Sequence, residues 1–168
     1  MSFPTPRLIW SIIATGCFGL VAASLLLTAW LDLHPCHLCI FQRLLFMSLA
    51  GLALLAAWLS PRPAARWAGL ASLPFSVTGI AVASYQSWLQ AQPPGSISCM
   101  AGQPSLIERL VEWLGQQQPT LFLATGFCEE AEWGILGLSL ANLAWLAFVA
   151  CLAAAIWALF RARQVDAH

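Results

Sequence analysis

The chain has 168 residues, of which 60% are hydrophobic and 8% charged, and its formal net charge at pH 7 is zero. A soluble domain carries about 25% charged residues, so this composition describes a protein that lives in lipid. There is no lysine and no basic tract, and the electrostatic footprint that nucleic-acid binding requires is therefore missing.

Four uninterrupted apolar stretches follow one another, at 8–31, 40–59, 68–89 and 135–160, each at least 20 residues long. That is enough to cross a hydrocarbon core of about 30 Å. The first follows Arg7 and could pass for a signal peptide, but its run of 24 residues far exceeds the roughly 7 to 15 apolar residues of a cleaved signal. It reads as a retained helix. The third carries Pro74, Ser76, Thr78, Ser84, Tyr85 and Gln86, so it belongs inside the bundle, where neighbours can satisfy the carbonyl that the proline frees. Gly16, Gly19, Gly51, Gly79, Gly134 and Gly137 are expected to let helix backbones approach closely. The fold class expected is an all-α membrane protein, a single domain of four transmembrane helices.

Positive residues are retained on the cytoplasmic side. Arg7, Arg62, Arg66, Arg161 and Arg163 fall at the N-terminus, in the turn 60–67 and in the tail 161–168, whereas Arg43 and Arg109 fall on the opposite side. Both termini are expected in the cytoplasm of a bacterial inner membrane. The short loop 32–39 and the long loop 90–134 then face outward, into the periplasm of a Gram-negative cell.

Cys17 and Cys151 fall in the middle of the first and fourth helices, where a thiol acts as a small apolar packing residue. Cys36, Cys39, Cys99 and Cys128 all fall in the two outward segments, where disulfides form and persist. Four cysteines allow three full pairings. Cys36 and Cys39 make a Cys-x-x-Cys flanked by His34 and His37, a donor set that would suit zinc on a soluble domain. An oxidising location argues against thiolate ligation, and haem attachment needs a histidine where Ile40 stands. As a structural staple the pair closes too small a ring to remove much unfolded-state entropy. Pairs at this spacing are more often redox-active.

Cys39 opens the second helix, where free N–H groups and the helix dipole favour negative charge. Arg43 follows at i+4 on the same face, so the two together would stabilise a Cys39 thiolate. A guanidinium at a membrane edge snorkels, pairs or lines a polar pocket. An electron acceptor that dissolves in lipid, with anionic or carbonyl character, suits that position.

The long loop opens with Gln92-Pro93-Pro94-Gly95, a non-helical exit. Ser105 and Glu108 form a capping-box pattern, after which Leu106, Ile107, Leu110, Val111 and Leu114 fall on one face, and Glu108, Arg109 and Glu112 on the other. The pattern predicts a short amphipathic helix, lying on the outer membrane surface or packed within the loop. Cys99 precedes it and Cys128 follows, so the segment is a tethered arm with a thiol at each end.

Pro35-Cys36-His37-Leu38-Cys39-Ile40-Phe41-Gln42-Arg43, the pair Cys99 and Cys128, and the run from Cys128 through Trp133 to Leu138 together resemble the disulfide bond formation protein B (DsbB) family of bacterial inner-membrane thiol oxidases. The likeness extends over most of the chain in the order helix, short loop, helix, turn, helix, long loop, helix. It implies that a reduced periplasmic dithiol oxidase of the DsbA type attacks a Cys99–Cys128 disulfide at Cys99. It further implies that Cys128 exchanges with Cys36, and that Cys39 hands electrons to a bound quinone, ubiquinone or menaquinone, supported by Arg43. Two positions depart from the family pattern. Gln42 stands where Glu is expected, and the family's quinone-proximal histidine has no counterpart among Tyr85, Gln86, Ser87 and Trp88. A vitamin K epoxide reductase-like protein shares four helices, a Cys-x-x-Cys and quinone chemistry, but carries its pair nearer the end of a late helix. The non-enzymatic alternative is a disulfide-stapled or metal-binding membrane scaffold.

Overall fold

The computed structural model describes residues 5–60, 62–93, 105–126, 134–135 and 138–166. Four long helices dominate: α1 (Pro6–Trp30), α2 (His37–Leu59), α3 (Ala64–Gln90) and α6 (Leu140–Asp166). All four are long and apolar enough to cross a membrane. Between α3 and α6 come α4 (Leu106–Gln117), the single turn α5 (Pro119–Phe122), and two-residue strands β1 (Gly134–Ile135) and β2 (Leu138–Ser139), paired antiparallel. The all-α, four-span architecture expected from the apolar runs is the one observed.

Each long helix packs on the next in the order α1, α2, α3, α6, and α6 returns to α1 to close the bundle. Thr5 caps α1 and Pro6 sits in its first turn, where a missing N–H costs nothing. The helix ends at Leu31, and Asp32 takes a left-handed φ of 50°, a conformation that Asp adopts more readily than most residues. Inside the bundle Phe46 of α2 stacks on Phe148 of α6, centroids 4.0 Å apart and nearly parallel. Pro74 interrupts α3 beside buried Ser72 and Ser76, whose hydroxyls donate to the carbonyls of Gly69 and Ser72.

Two sequence expectations need adjustment. The fourth helix begins at Leu140, not at 135. The run from Gly134 to Leu138 is apolar enough to read as membrane helix, but the Ser139 hydroxyl accepts the N–H of Asn142 at 3.3 Å. That cap starts the helix, and Ile135 is spent in the β1–β2 ribbon instead. Among the glycines, Gly16, Gly19 and Gly51 face open space. Between the long helices the close approaches are at Gly79, over the Phe148 ring, and at Gly69, which the sequence reading did not single out, where an added Cβ would come within 2.7 Å of the Trp10 indole. Cys17 and Cys151, expected as packing residues, are also neighbours, with sulfurs 3.6 Å apart between α1 and α6.

The capping box at Ser105 and Glu108 is present in both directions, and α4 lies across the loop end of α2. Its apolar residues divide into two stripes. Val111 is fully buried against Ile40 and Phe122, with Ile107 and Leu114 beside it. Leu106, Leu110 and Trp113 point away from the bundle and are exposed.

Because Phe148 is buried and stacked, it has no room to yield. Gly79→Ala should therefore cost about 1–3 kcal/mol in detergent-based unfolding, while Gly16→Ala and Gly51→Ala remain at or slightly above the parent stability. Cys17→Ala and Cys151→Ala should leave the thiol-oxidation turnover that the resemblance implies near wild type. A large loss of turnover in either would assign those sulfurs a chemical role.

Candidate active site

The short loop delivers its cysteines through the start of α2. Pro35 precedes Cys36, whose extended backbone places it at the N-cap, and its sulfur accepts the N–H of Cys39 at 3.4 Å. The spacing Cys-x-x-Cys thus matches N-cap to N3, the relation by which a side-chain acceptor satisfies a helix's first orphan donors. The two sulfurs stand 2.9 Å apart. Cys36 is buried and Cys39 is partly exposed.

Arg43 lies one turn further along α2 and is only 5% exposed. It does not snorkel. Its Nε and Nη2 donate to the Ser24 hydroxyl at 3.2 and 2.9 Å, Nη2 also donates to Thr28 Oγ1 at 3.3 Å, and Nη1 donates to the Leu121 carbonyl at 2.8 Å. Each of these acceptors is neutral, so none of them offsets the positive charge that the guanidinium brings to the site. Ser24 and Thr28 were not singled out in the sequence. Their signal is a pair of hydroxyls at i and i+4 near the end of an apolar helix, which is ambiguous until an arginine is known to face it.

Gln42, which departs from the family pattern, and Gln86, one of the four residues among which the family's histidine has no counterpart, face each other. Gln42 Nε2 donates to Gln86 Oε1 at 2.7 Å, and Gln86 Nε2 donates to Cys39 Sγ at 3.0 Å and reaches Cys36 Sγ at 3.5 Å. Next along α3, Ser87 donates to Asn142 Oδ1 at 2.8 Å, tying α3 to the first turn of α6.

These groups surround a cavity of about 300 Å³ that opens between α1, α2, α3 and the start of α6. Its wall is mostly apolar, from residues such as Leu20, Leu27, Phe46 and Ala144, and its polar edge is Cys36, Cys39, Gln42, Arg43, Gln86 and Gln90. Gln90 Oε1 is buried without a hydrogen-bond partner among the described residues. Small-molecule sites share this build, an apolar wall with a few convergent polar groups.

Cys99 and Cys128 lie outside the described residues. The chain leading toward Cys128 is described as far as Gly126, and it docks on the short loop: the N–H groups of Thr125 and Gly126 donate to the Pro35 carbonyl at 2.9 and 3.2 Å. The approach is so close that a Cβ on Gly126 would collide with the His34 carbonyl. His37 faces Glu112 of α4 at 4.0 Å. Among the described residues no three His, Cys, Asp or Glu side chains converge as a metal site would require, so His34, Cys36, His37 and Cys39 are not gathered around a common point.

A family model described as "Disulfide bond formation protein DsbB" matches residues 6–158. A disulfide bond formation protein B from Dechloromonas aromatica is 45% identical over 149 residues, covering 88% of each chain. Its counterpart from Verminephrobacter eiseniae is 38% identical over 148 residues, covering 86% of this chain and 80% of that one. One from Azoarcus sp. is 36% identical over 148 residues, covering 88% of each. The match takes in the four-helix bundle, the Cys36–Cys39 turn and the segment that docks on it, and the chain therefore belongs to the DsbB family, multi-pass bacterial inner-membrane thiol oxidoreductases that serve disulfide bond formation.

Proposed function

We propose that this protein reoxidises a periplasmic dithiol oxidase of the DsbA type and delivers the electrons to a membrane quinone. The observation that carries this reading is the coincidence of three features on one cavity: the Cys36–Cys39 pair, the buried Arg43 charge and an apolar wall. When bound there, a quinone supplies an acceptor for two electrons and two protons. The cavity suits its chemistry. Arg43 has five N–H groups and makes four hydrogen bonds among the described residues, so Nη1 keeps one hydrogen for a carbonyl oxygen. The orphaned Gln90 Oε1 offers an acceptor for a hydroxyl.

The route consists of thiol–disulfide exchanges, each an attack of a thiolate on one sulfur of a bridge with departure of the other as thiolate. The partner's thiolate attacks Cys99 of a Cys99–Cys128 bridge and releases Cys128. The partner's second thiol then resolves the mixed disulfide, leaving the partner oxidised and Cys99 and Cys128 reduced. Cys128 attacks Cys36 of a Cys36–Cys39 bridge, releasing Cys39, and Cys99 closes the first bridge again. The electron pair now resides on Cys36 and Cys39, beside the cavity. The backbone clasp of Thr125 and Gly126 on Pro35 supports the third step, because Cys128 follows Gly126 by two residues and Cys36 follows Pro35 directly. Both termini are cytoplasmic in this reading, which rests on the arginine distribution.

The test is loss of quinone absorbance in detergent with a reduced DsbA-type protein as electron donor. Cys39→Ser should abolish turnover, and normal turnover in that variant would sink the mechanism. Arg43→Ala should raise the quinone KM by about tenfold or more, the loss of a hydrogen bond from a charged donor, while the protein still inserts in the membrane. An unchanged KM would remove Arg43 from the quinone site.

A further inference from the structure

Two buried amides lie beside the cysteine pair, Gln86 in contact with it and Gln42 behind Gln86, and neither has a part in the exchange route as described above. Gln42 and Gln86 are 5% and 2% exposed, in helices whose other residues are overwhelmingly apolar. A primary amide is retained in such surroundings only where its hydrogen bonds are made. Here they are made in a fixed order, from Gln42 Nε2 to Gln86 Oε1 and from Gln86 Nε2 to sulfur.

An amide presents a donor at one end and an acceptor at the other, and a half-turn exchanges them. By donating to Gln86 Oε1, Gln42 fixes which end of Gln86 is left to face the cysteines. That end is the NH2 group, which is nearer to Cys39 than to Cys36, at 3.0 against 3.5 Å. A disulfide sulfur is an uncharged, weak acceptor, whereas a thiolate is a charged one that strengthens the bond it accepts. The arrangement therefore discriminates between the two redox states of the pair, and between its two sulfurs.

We propose that Gln86 is a further catalytic residue, its amide NH2 holding negative charge on Cys39 once the Cys36–Cys39 bridge opens, and that Gln42 is a positioning residue that keeps this donor end turned to the sulfur. The assignment rests on the reading of Cys39 as the sulfur that delivers the electrons. It makes the two amides one device: a neutral donor relay running from α2 through α3 and back to the first turn of α2. A carboxylate at either position would reverse it. Gln86→Glu sets acceptor oxygens against the sulfur. Gln42→Glu offers Gln86 only acceptors, which draws its NH2 away and turns Oε1 toward Cys39.

The test is site-resolved alkylation of the full-length protein in detergent, reduced with dithiothreitol, freed of reductant and pulsed with iodoacetamide at pH 7, with labelled cysteines located by peptide mass spectrometry. Wild type should be labelled at Cys39 in preference to Cys36. Gln86→Met and Gln86→Glu should each slow Cys39 labelling by about tenfold or more and move the preference toward Cys36. Gln42→Glu should do the same, with Gln42→Met showing a smaller effect. Labelling at buried Cys17 is the control for loosened packing, since a merely structural role would raise it while leaving the Cys36 to Cys39 partition alone. Rates and partition within about twofold of wild type in Gln86→Glu and Gln42→Glu would overturn the proposal, and those two isosteric variants decide it even where Gln86→Met fails to fold. Alkylation needs neither quinone nor partner protein. A wild-type protein that labels as expected but passes no electrons to quinone would defeat the reading of function and leave the role of the amides standing.

Discussion

A guanidinium keeps its charge inside a protein, so a buried one dictates what surrounds it. Arg43 is such a group. It is held by two hydroxyls of α1 and by a carbonyl of α5, and those acceptors come from segments far apart in the chain. The α5 carbonyl is available because the last carbonyls of a helical turn have no partner within it. In satisfying itself, Arg43 ties α1, α2 and the α4–α5 arm together at the end of the bundle that carries the cysteines. The apolar helices below supply the packing; the arginine supplies the register between bundle and arm. The cavity is the space these constraints leave.

Polar groups inside the bundle follow a common economy. Ser87 with Asn142, Gln42 with Gln86, and Arg43 with Ser24 and Thr28 each cross from one helix to another. All lie toward the cysteine end. Away from it, helix contacts are made by aromatic stacking and by glycines, as at Phe46, Phe148, Gly79 and Gly69. The bundle is thus apolar and tightly packed away from the cysteine pair, and hydrogen-bonded around it.

Much of this was legible in the sequence, for physical reasons that differ from residue to residue. The spans follow from length and hydropathy, the α4 cap from Ser105 and Glu108, and the Cys39–Arg43 relation from helical periodicity, all of them local properties. What was not legible depends on partners distant in the chain. Gly79 matters because Phe148 lies over it, and Gly16 does not because nothing does. Cys17 and Cys151 are separated by most of the chain and meet only through helix pairing. The start of α6 was misplaced because Ile135 and Leu138 are as apolar as any membrane residue, and the cap at Ser139 outweighs them. Gln42 and Gln86 registered as irregularities of pattern. Only their contact across two helices shows that they are one feature.

The N-cap position of Cys36 also has a geometric consequence. Exchange at a disulfide requires the attacking, central and leaving sulfurs to lie nearly in line. Cys36 sits on the loop side of the pair and Cys39 inside the first helical turn, bordering the cavity. On the proposed route, a sulfur that strikes Cys36 from the loop side releases the sulfur held in the first helical turn. On that route the order of the two cysteines along the chain decides which sulfur is struck and which is released, set by which of them begins the helix.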